Sequence, residues 1–445
     1  MVRHDFFYDV PFGYDIKILV LFYTMKQHTI FKLFFIAVCM LGNNSINAQN
    51  LESTKKHISI LCGPTMSGRG YVQQGVNVAA DYLSNQFQTL GLRKFGKSYV
   101  QNYQFEVNTH PYPIQCKLDG QSKQVGLDFL VDPSTASLQG KYSLIHFNMR
   151  DSLDKILLYK KIEKGFDQNH ALVLHHGTKR GSADVLDSLK NYRNFPSCII
   201  YTEDKKMTHS IGRKIDPLPS LIFMDSVIAQ KETIDISIKN SFVNNFESKN
   251  IIGYIKAKKS DSFVVFTAHY DHLGKQGDAV FPGASDNASG TAMVLYLAEY
   301  FMENKPKDNM VFILFSGEEA GLLGSEYFTQ NPTFQIEKIK MLVNIDIMGD
   351  AEKGITVVNG ETFKQKFDQL LAINAKNNYL PDIKIRGKTK NSDHYYFSEK
   401  GIPSFFIYSN SGKGFYHDVF DQANTLALTN FEQVAKLLID FALKQ

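Results

Sequence analysis

The sequence predicts an α/β fold, a doubly wound and mostly parallel or mixed sheet with helices on both faces, into which a β-rich domain is inserted. Three observations predict it. From Asn250 to the C-terminus, apolar runs of strand length alternate with stretches of helical periodicity. Between Ser98 and Ser241 that alternation is lost, and short β-like runs are separated by polar segments. Histidines and acids recur just past the predicted strands of the C-terminal half, at the carboxyl ends where such sheets bind ligands.

In chain order, the first element is helical, over Ile58 to Leu92, with Val76, Ala79, Ala80, Leu83, Phe87 and Leu90 on one face and Gly91 as its stop. Before that face, Met66 to Tyr71 (M-S-G-R-G-Y) reads as a glycine-rich approach or a simple turn. In the insertion, Tyr142–Phe147, Ala171–His175 and Cys198–Tyr201 are the clearest strands. His175 and His176 are neighbours, and neighbours on a strand point to opposite faces, which argues against a metal role. Further strands are predicted at Ser262–Ala268, Met310–Phe315, Met341–Ile345, Ile355–Val358 and Pro403–Tyr408. Helices are predicted at Gly290–Asn304, with Val294, Leu297, Ala298 and Phe301 inward, through Phe363, Phe367, Leu370, Leu371 and Asn374, and at Phe431–Leu443. Thr429 and Glu432 are spaced as a capping box for the last of these.

Four segments follow: an N-terminal extension and signal peptide (1–48), the first part of the main domain (49–97), the insertion (98–241) and the remainder of the main domain (242–445). The signal reading starts at Met25, with Lys26, His28 and Lys32 as a weakly basic leader, Leu33–Leu41 as an apolar core and Ile46-Asn47-Ala48 as the cleavage exit. That core is shorter than the roughly 20 apolar residues a spanning helix needs. A single anchor built from Ile16–Tyr23 and Leu33–Leu41 is interrupted by Lys26, Gln27 and His28. Cys39 lacks the small residue expected before a lipidated cysteine. The expectation is a secreted or periplasmic protein cleaved near Ala48, with no stable membrane anchor.

With 445 residues, 43% hydrophobic and 21% charged, the chain has globular composition and length for two or more domains. Its net charge of +4 is spread over 49 basic and 45 acidic residues without a long run of either sign, which argues against nucleic acid as a partner. Cys62, Cys116 and Cys198 remain after the signal, scattered and odd in number, so no disulfide framework is expected.

The chemistry concentrates in Val264–Phe328, which contains A-H-Y-D-H-L-G, G-A-S-D-N-A-S-G and S-G-E-E-A-G-L-L-G-S. His269, Glu318, Glu319, Asp346 and His417 each follow or end a predicted strand, so all converge on one edge of the sheet. Imidazole and carboxylate without thiolate suit two zinc ions in an open site, although other divalent metals could take the same set. Asp286 fits a bridge between two ions, with Gly283 and Gly290 letting the backbone bend around it. Of Glu318 and Glu319, adjacent in a turn, one can face a metal and the other the attacking water. Asp271, two residues past His269, can accept its N–H and fix its tautomer.

These motifs, with N-I-D-I-M-G, S-D-H-Y-Y-F and Y-H-D-V-F-D, resemble the co-catalytic di-zinc aminopeptidases of metallopeptidase family twenty-eight over about residues 250–445. The resemblance implies a phosphorylase/hydrolase-like zinc-peptidase fold and a peptide substrate cleaved at its N-terminal bond. It implies that His269 and Asp346 bind one zinc, Glu319 and His417 the other, and Asp286 both. Glu318 would be the general base acting on a metal-bridging water, Asp271 would orient His269, and Tyr416 would hydrogen-bond the developing oxyanion. Asp393, Tyr396 and Phe397 look like the segment shaping the substrate pocket, and Asp421 like a support for the His417 loop. Asp418 departs from the family pattern, where many relatives have a small hydroxyl residue. Ser98–Ser241 is similar to the family's protease-associated insertion in length. The other readings are a carboxypeptidase or dipeptidase of the same fold, a glutaminyl cyclase, and a non-catalytic binding protein.

Overall fold

Runs such as Asn309–Phe315 (N-M-V-F-I-L-F), apolar along nearly their whole length, form strands buried at every position, as central parallel strands covered on both faces require. In the computed structural model, residues 51–190 and 195–445 are described, so the expected signal segment lies outside the described residues. Residues Thr54–Gln445 make one unit containing two sheets of eight strands each.

The first sheet comprises β1 (Val100–Thr109), β2 (Ser241–Ile255), β3 (Phe263–His269), β4 (Asn309–Phe315), β5 (Ile339–Asp346), β6 (Ile355–Val358), β7 (Ile383–Ile385) and β8 (Ser404–Ser409). Their spatial order is β1-β2-β4-β3-β5-β8-β6-β7. The central four, β4-β3-β5-β8, are mutually parallel, while β1 and β2 are antiparallel additions at one edge and β6 runs antiparallel to β8. The doubly wound mixed sheet expected from sequence is therefore present.

Side-chain alternation covers the sheet on both faces. Phe266 stacks on Phe312 and on Phe301 of helix α2 (Gly290–Glu303), and Phe405, on the same face, stacks with Phe441 of α4 (Phe431–Ala442). Val265, Val311 and Ile313 face the other way, into a cluster with Phe328 and Phe397. Helix α1 (Gly75–Leu90) buries Val76, Ala79, Ala80, Leu83 and Phe87 and ends on the predicted stop, Gly91, at φ +77°; the helix expected from Ile58 is instead broken over 62–74, and Leu90 is only partly buried. Helix α3 (Lys364–Asn377) buries Phe367, Leu370 and Ile373. The capping box does not form. Helix α4 begins at Phe431 behind Asn430, which sits at φ +57° with no side-chain cap, so Thr429 and Glu432 fall one position out of register.

The second sheet uses strands between Gln115 and Ile238. The expected insertion ends, near Ser98 and Ser241, differ: β1 and β2 pair from Val100–Ile251 to Thr109–Ser241 and extend the first sheet. Nor is this part β alone, because helices Ser152–Lys164 and Ala183–Lys190 flank four parallel strands, Leu138–Asn148, His170–His175, Cys198–Glu203 and Ser220–Met224. Leu130 and Met207 of this region pack on Leu273 and Phe281 of the first, and the Gln276 amide bonds both main-chain groups of Val131 at 2.7 and 2.8 Å. Cys62, Cys116 and Cys198 are free thiols. Among the described residues no helix is long and apolar enough to cross a membrane.

Candidate metal centre

The carboxyl ends of β3, β4, β5 and β8 bring the predicted side chains together. His269 ends β3 and Asp346 ends β5, Glu318 and Glu319 lie in the turn after β4, and His417 follows β8. His269 Nε2 lies 3.3 Å from Asp286 Oδ1 and 3.4 Å from Asp346 Oδ2. His417 Nε2 lies 3.3 Å from Asp286 Oδ2 and 3.1 Å from Glu319 Oε2. Asp286 thus turns one oxygen to each histidine. With zinc–ligand bonds of about 2.0–2.2 Å, tetrahedral donors sit roughly 3.3–3.6 Å apart; three of these four spacings fall in that range, and the His417–Glu319 spacing is shorter.

The electrostatics fit cations. Burial opposes charge on the His417 imidazole, yet Glu319 and Asp286 raise it to about 11, and Asp346 and Glu318 drive His269 well up against the same opposition. Without a metal the acids would draw protons onto both rings. Asp346 Oδ1 is buried without a hydrogen-bond partner, an orphan a cation would satisfy. Burial, then the carboxylates of Glu319, Asp393 and Asp346, push Glu318 well above the usual range despite His269.

The surrounding shell corrects several expectations. His269 Nδ1 is 3.2 Å from the main-chain oxygen of Asp271 and 3.6 Å from its carboxylate, so the carbonyl fixes the tautomer. The Asp271 carboxylate instead accepts Tyr71 Oη at 2.7 Å and the amides of Glu318 and Glu319 at 3.3 Å each, fixing the acidic turn. Asp421 supports the Asp286 loop and not that of His417, accepting the amides of Ser285 and Asp286 at 2.9–3.0 Å. Gly283 supplies the left-handed turn (φ +61°), whereas Gly290 is helical and is needed because a Cβ there would lie 2.6 Å from Ile345 O. Phe397 is fully buried in the core with Phe315 and Phe328, and Asp393 is buried with both oxygens unpartnered. Tyr416 is half-exposed and stacks on His417 with centroids 3.8 Å apart; burial and the nearby carboxylates push its hydroxyl up, keeping it a donor.

Other groups carried little signal in the sequence. His272 is buried and bonds Glu319 Oε1 through Nδ1 at 2.9 Å, leaving Oε2 to face His417. Its place inside H-Y-D-H was the available hint. From the second region, His209 O accepts His417 Nδ1 at 2.9 Å, and Lys206 Nζ bonds the carbonyls of Gly414 and Tyr416 at 2.6 and 2.5 Å. Arg69, fully buried, donates to the carbonyls of Leu61, Tyr270, Pro282 and Gly283 at 2.6–2.9 Å, tying the exit of β3 to the approach to Asp286. Arg69→Met would leave these carbonyls unpaired, and each bond to a charged group contributes about 1.5–3 kcal/mol. Urea unfolding should show a loss of at least about 3 kcal/mol; an unchanged midpoint would remove Arg69 from this role. A cavity of about 550 Å³ opens beside the cluster, bounded by Asp286, Ile347, Glu352, Tyr408, Tyr416 and Asp421.

The chain is similar to known proteins in sequence and in fold. A probable zinc metalloprotease of Pyrenophora tritici-repentis is 38% identical over 114 residues, 24% of this chain and 26% of that protein. Aminopeptidase YwaD of Bacillus subtilis is 27% identical over 235 residues, 48% of each. The chain thus spans about a quarter to a half of the length of these curated relatives. In fold it is similar to the zinc aminopeptidase BSAP of Bacillus subtilis (TM-score 0.67, 18% identity, 88% of this chain and 94% of that one). A peptidase M28 precursor of Shewanella amazonensis is similar too (TM-score 0.64, 14% identity, 90% and 96% covered). The profile described as Peptidase family M28 matches residues 250–442, the stretch that holds every donor of the cluster. Residues 250–442 of the chain are thus similar to peptidase family M28.

Proposed function

We propose that the chain is an exported zinc-dependent aminopeptidase that removes the N-terminal residue of peptides. The observation that carries this is Asp286 set between two histidines, one oxygen toward each Nε2 at 3.3 Å. In this reading His269 and Asp346 hold one zinc, Glu319 and His417 a second, and Asp286 both. Zinc, when bound there, would lower the pKa of water to about 7 and polarise the scissile carbonyl.

The chain's own groups do the rest. Glu318, raised in proton affinity by burial and neighbouring acids, takes the proton of the attacking water and delivers it to the leaving amine. Tyr416 donates to the developing oxyanion. His272 holds Glu319, and the His209 carbonyl keeps the proton of His417 on Nδ1, so Nε2 faces the donors. Acidic side chains around the cavity, Asp350 and Glu352 among them, suit a substrate bearing a free amine.

The test is a panel of aminoacyl, N-blocked and C-terminal substrates with and without a chelator. Hydrolysis confined to free-amine substrates and abolished by chelation is expected; cleavage of N-blocked substrates only would overturn the aminopeptidase reading. The second region acts through Lys206, which braces the loop bearing Tyr416 and His417. Lys206→Met should lower kcat/KM by about ten- to a hundredfold, the effect of small misplacements of catalytic groups, with zinc content unchanged. Steady-state kinetics alongside metal analysis would check it.

A further inference from the structure

A second group of metal-type side chains lies in the other sheet. Its four parallel strands, Leu138–Asn148, His170–His175, Cys198–Glu203 and Ser220–Met224, end on one edge, and their ends deliver His146, His175 with His176, Thr202 with Asp204, and Asp225. That edge is where open parallel sheets place ligands. One donor atom from each of His176, Asp204 and Asp225 lies within 4.8 Å of the others. The objection from adjacent histidines fails because the strand stops at His175. His176 turns left-handed (φ +57°), as His417 does (φ +56°), and leaves the alternation of the strand.

We propose that His176, Asp204 and Asp225 form a further divalent-cation site, of the zinc class, outside the catalytic cluster. One imidazole and two carboxylates with room for water match an open nitrogen and oxygen shell. Outer contacts orient the donors as metal sites require. Asp225 Oδ1 is held by His175 Nδ1 at 2.6 Å and by Thr202 Oγ1 at 2.7 Å, which leaves Oδ2 for the ion. Behind it His175 Nε2 meets His146 Nδ1 at 2.7 Å, and His146 Nε2 donates to Lys231 O at 2.7 Å. Thr202 Oγ1 also accepts the amide of His176 at 2.8 Å, tying two donors to one hydroxyl. One contact must yield. His176 Nδ1 and Asp204 Oδ1 are 2.7 Å apart, and they would separate by roughly 0.6–0.9 Å to share an ion while the proton between them leaves. Arg150 pairs with Asp204 Oδ2 at 2.7 Å but is mostly exposed, so Oδ1 stays available.

The test counts ions on the untagged full chain, stripped by chelator and dialysed against zinc chloride. Asp286→Ala is the background, so the catalytic cluster is disabled and one bound zinc is expected to remain. Adding His176→Ala should remove that ion, and adding Asp225→Asn should weaken it at least tenfold, with circular dichroism confirming the fold. An unchanged zinc count and affinity on adding His176→Ala, or no zinc in the Asp286→Ala background, would overturn the site. Failure of the catalytic reading is separate, since it would appear as Asp286→Ala binding as many ions as the wild type.

Discussion

Glu318→Gln is expected to keep its zinc and to lose about 10²- to 10⁴-fold or more in turnover, the range for removing a general base. The amide preserves the shape of the side chain but cannot take a proton. Two neighbouring acids are already engaged: Glu319 by His272 and His417, and Asp271 by Tyr71 and the two glutamate amides. The result also decides between two roles, because a Glu318 carboxylate oxygen lies within 4.8 Å of donors from His269 and Asp346 and so stands within reach of a ligand's place. Loss of turnover with both ions present would assign the base; loss of an ion would make Glu318 a ligand. Near-normal turnover would remove it from the chemistry. Turnover of an aminoacyl chromogenic substrate and elemental analysis of the same sample check both.

The fold and the donor cluster were legible because both follow from local pattern. Strands buried on two faces read as continuous apolar runs, and residues just past parallel strands must meet at one edge. What was illegible depends on contacts between distant parts of the chain. Arg69 reaches Pro282 and Gly283, 213 and 214 positions away, and Lys206 reaches Gly414 and Tyr416 across 208 and 210, with no periodicity to announce either. Asp421 was misassigned for a similar reason: four residues from His417 in sequence, it is bonded to amides 135 and 136 positions away. Tyr71 illustrates the same limit. Its M-S-G-R-G-Y segment reads as a turn, yet its hydroxyl holds Asp271 across 200 positions. Local errors came from register, as when Asn430 at φ +57° moved the start of α4 past its predicted cap.

Asp286→Ala is expected to abolish activity and remove both ions of the cluster, since one carboxylate serves both histidines. Zinc affinity at this centre should fall by more than the 10- to 100-fold that an outer partner costs. Asp286→Asn separates bridging from mere charge. Its amide keeps one oxygen, for the His269 or the His417 side, and turns an N–H₂ to the other, so at most one ion should be retained. Zinc that binds only the folded state stabilises it by RT ln(1 + [L]/Kd), about 2.7 kcal/mol at a hundred times Kd. The wild type should therefore melt higher as zinc is added, and most of that rise should vanish in Asp286→Ala, leaving the part due to His176, Asp204 and Asp225. A variant that kept both ions of the cluster and the full rise would mean that Asp286 bridges nothing. The paired histidines would then have to be explained as an ion-pair network around a buried acid, and burial works against such a network unless a cation is present to offset the four carboxylates of Asp286, Glu318, Glu319 and Asp346.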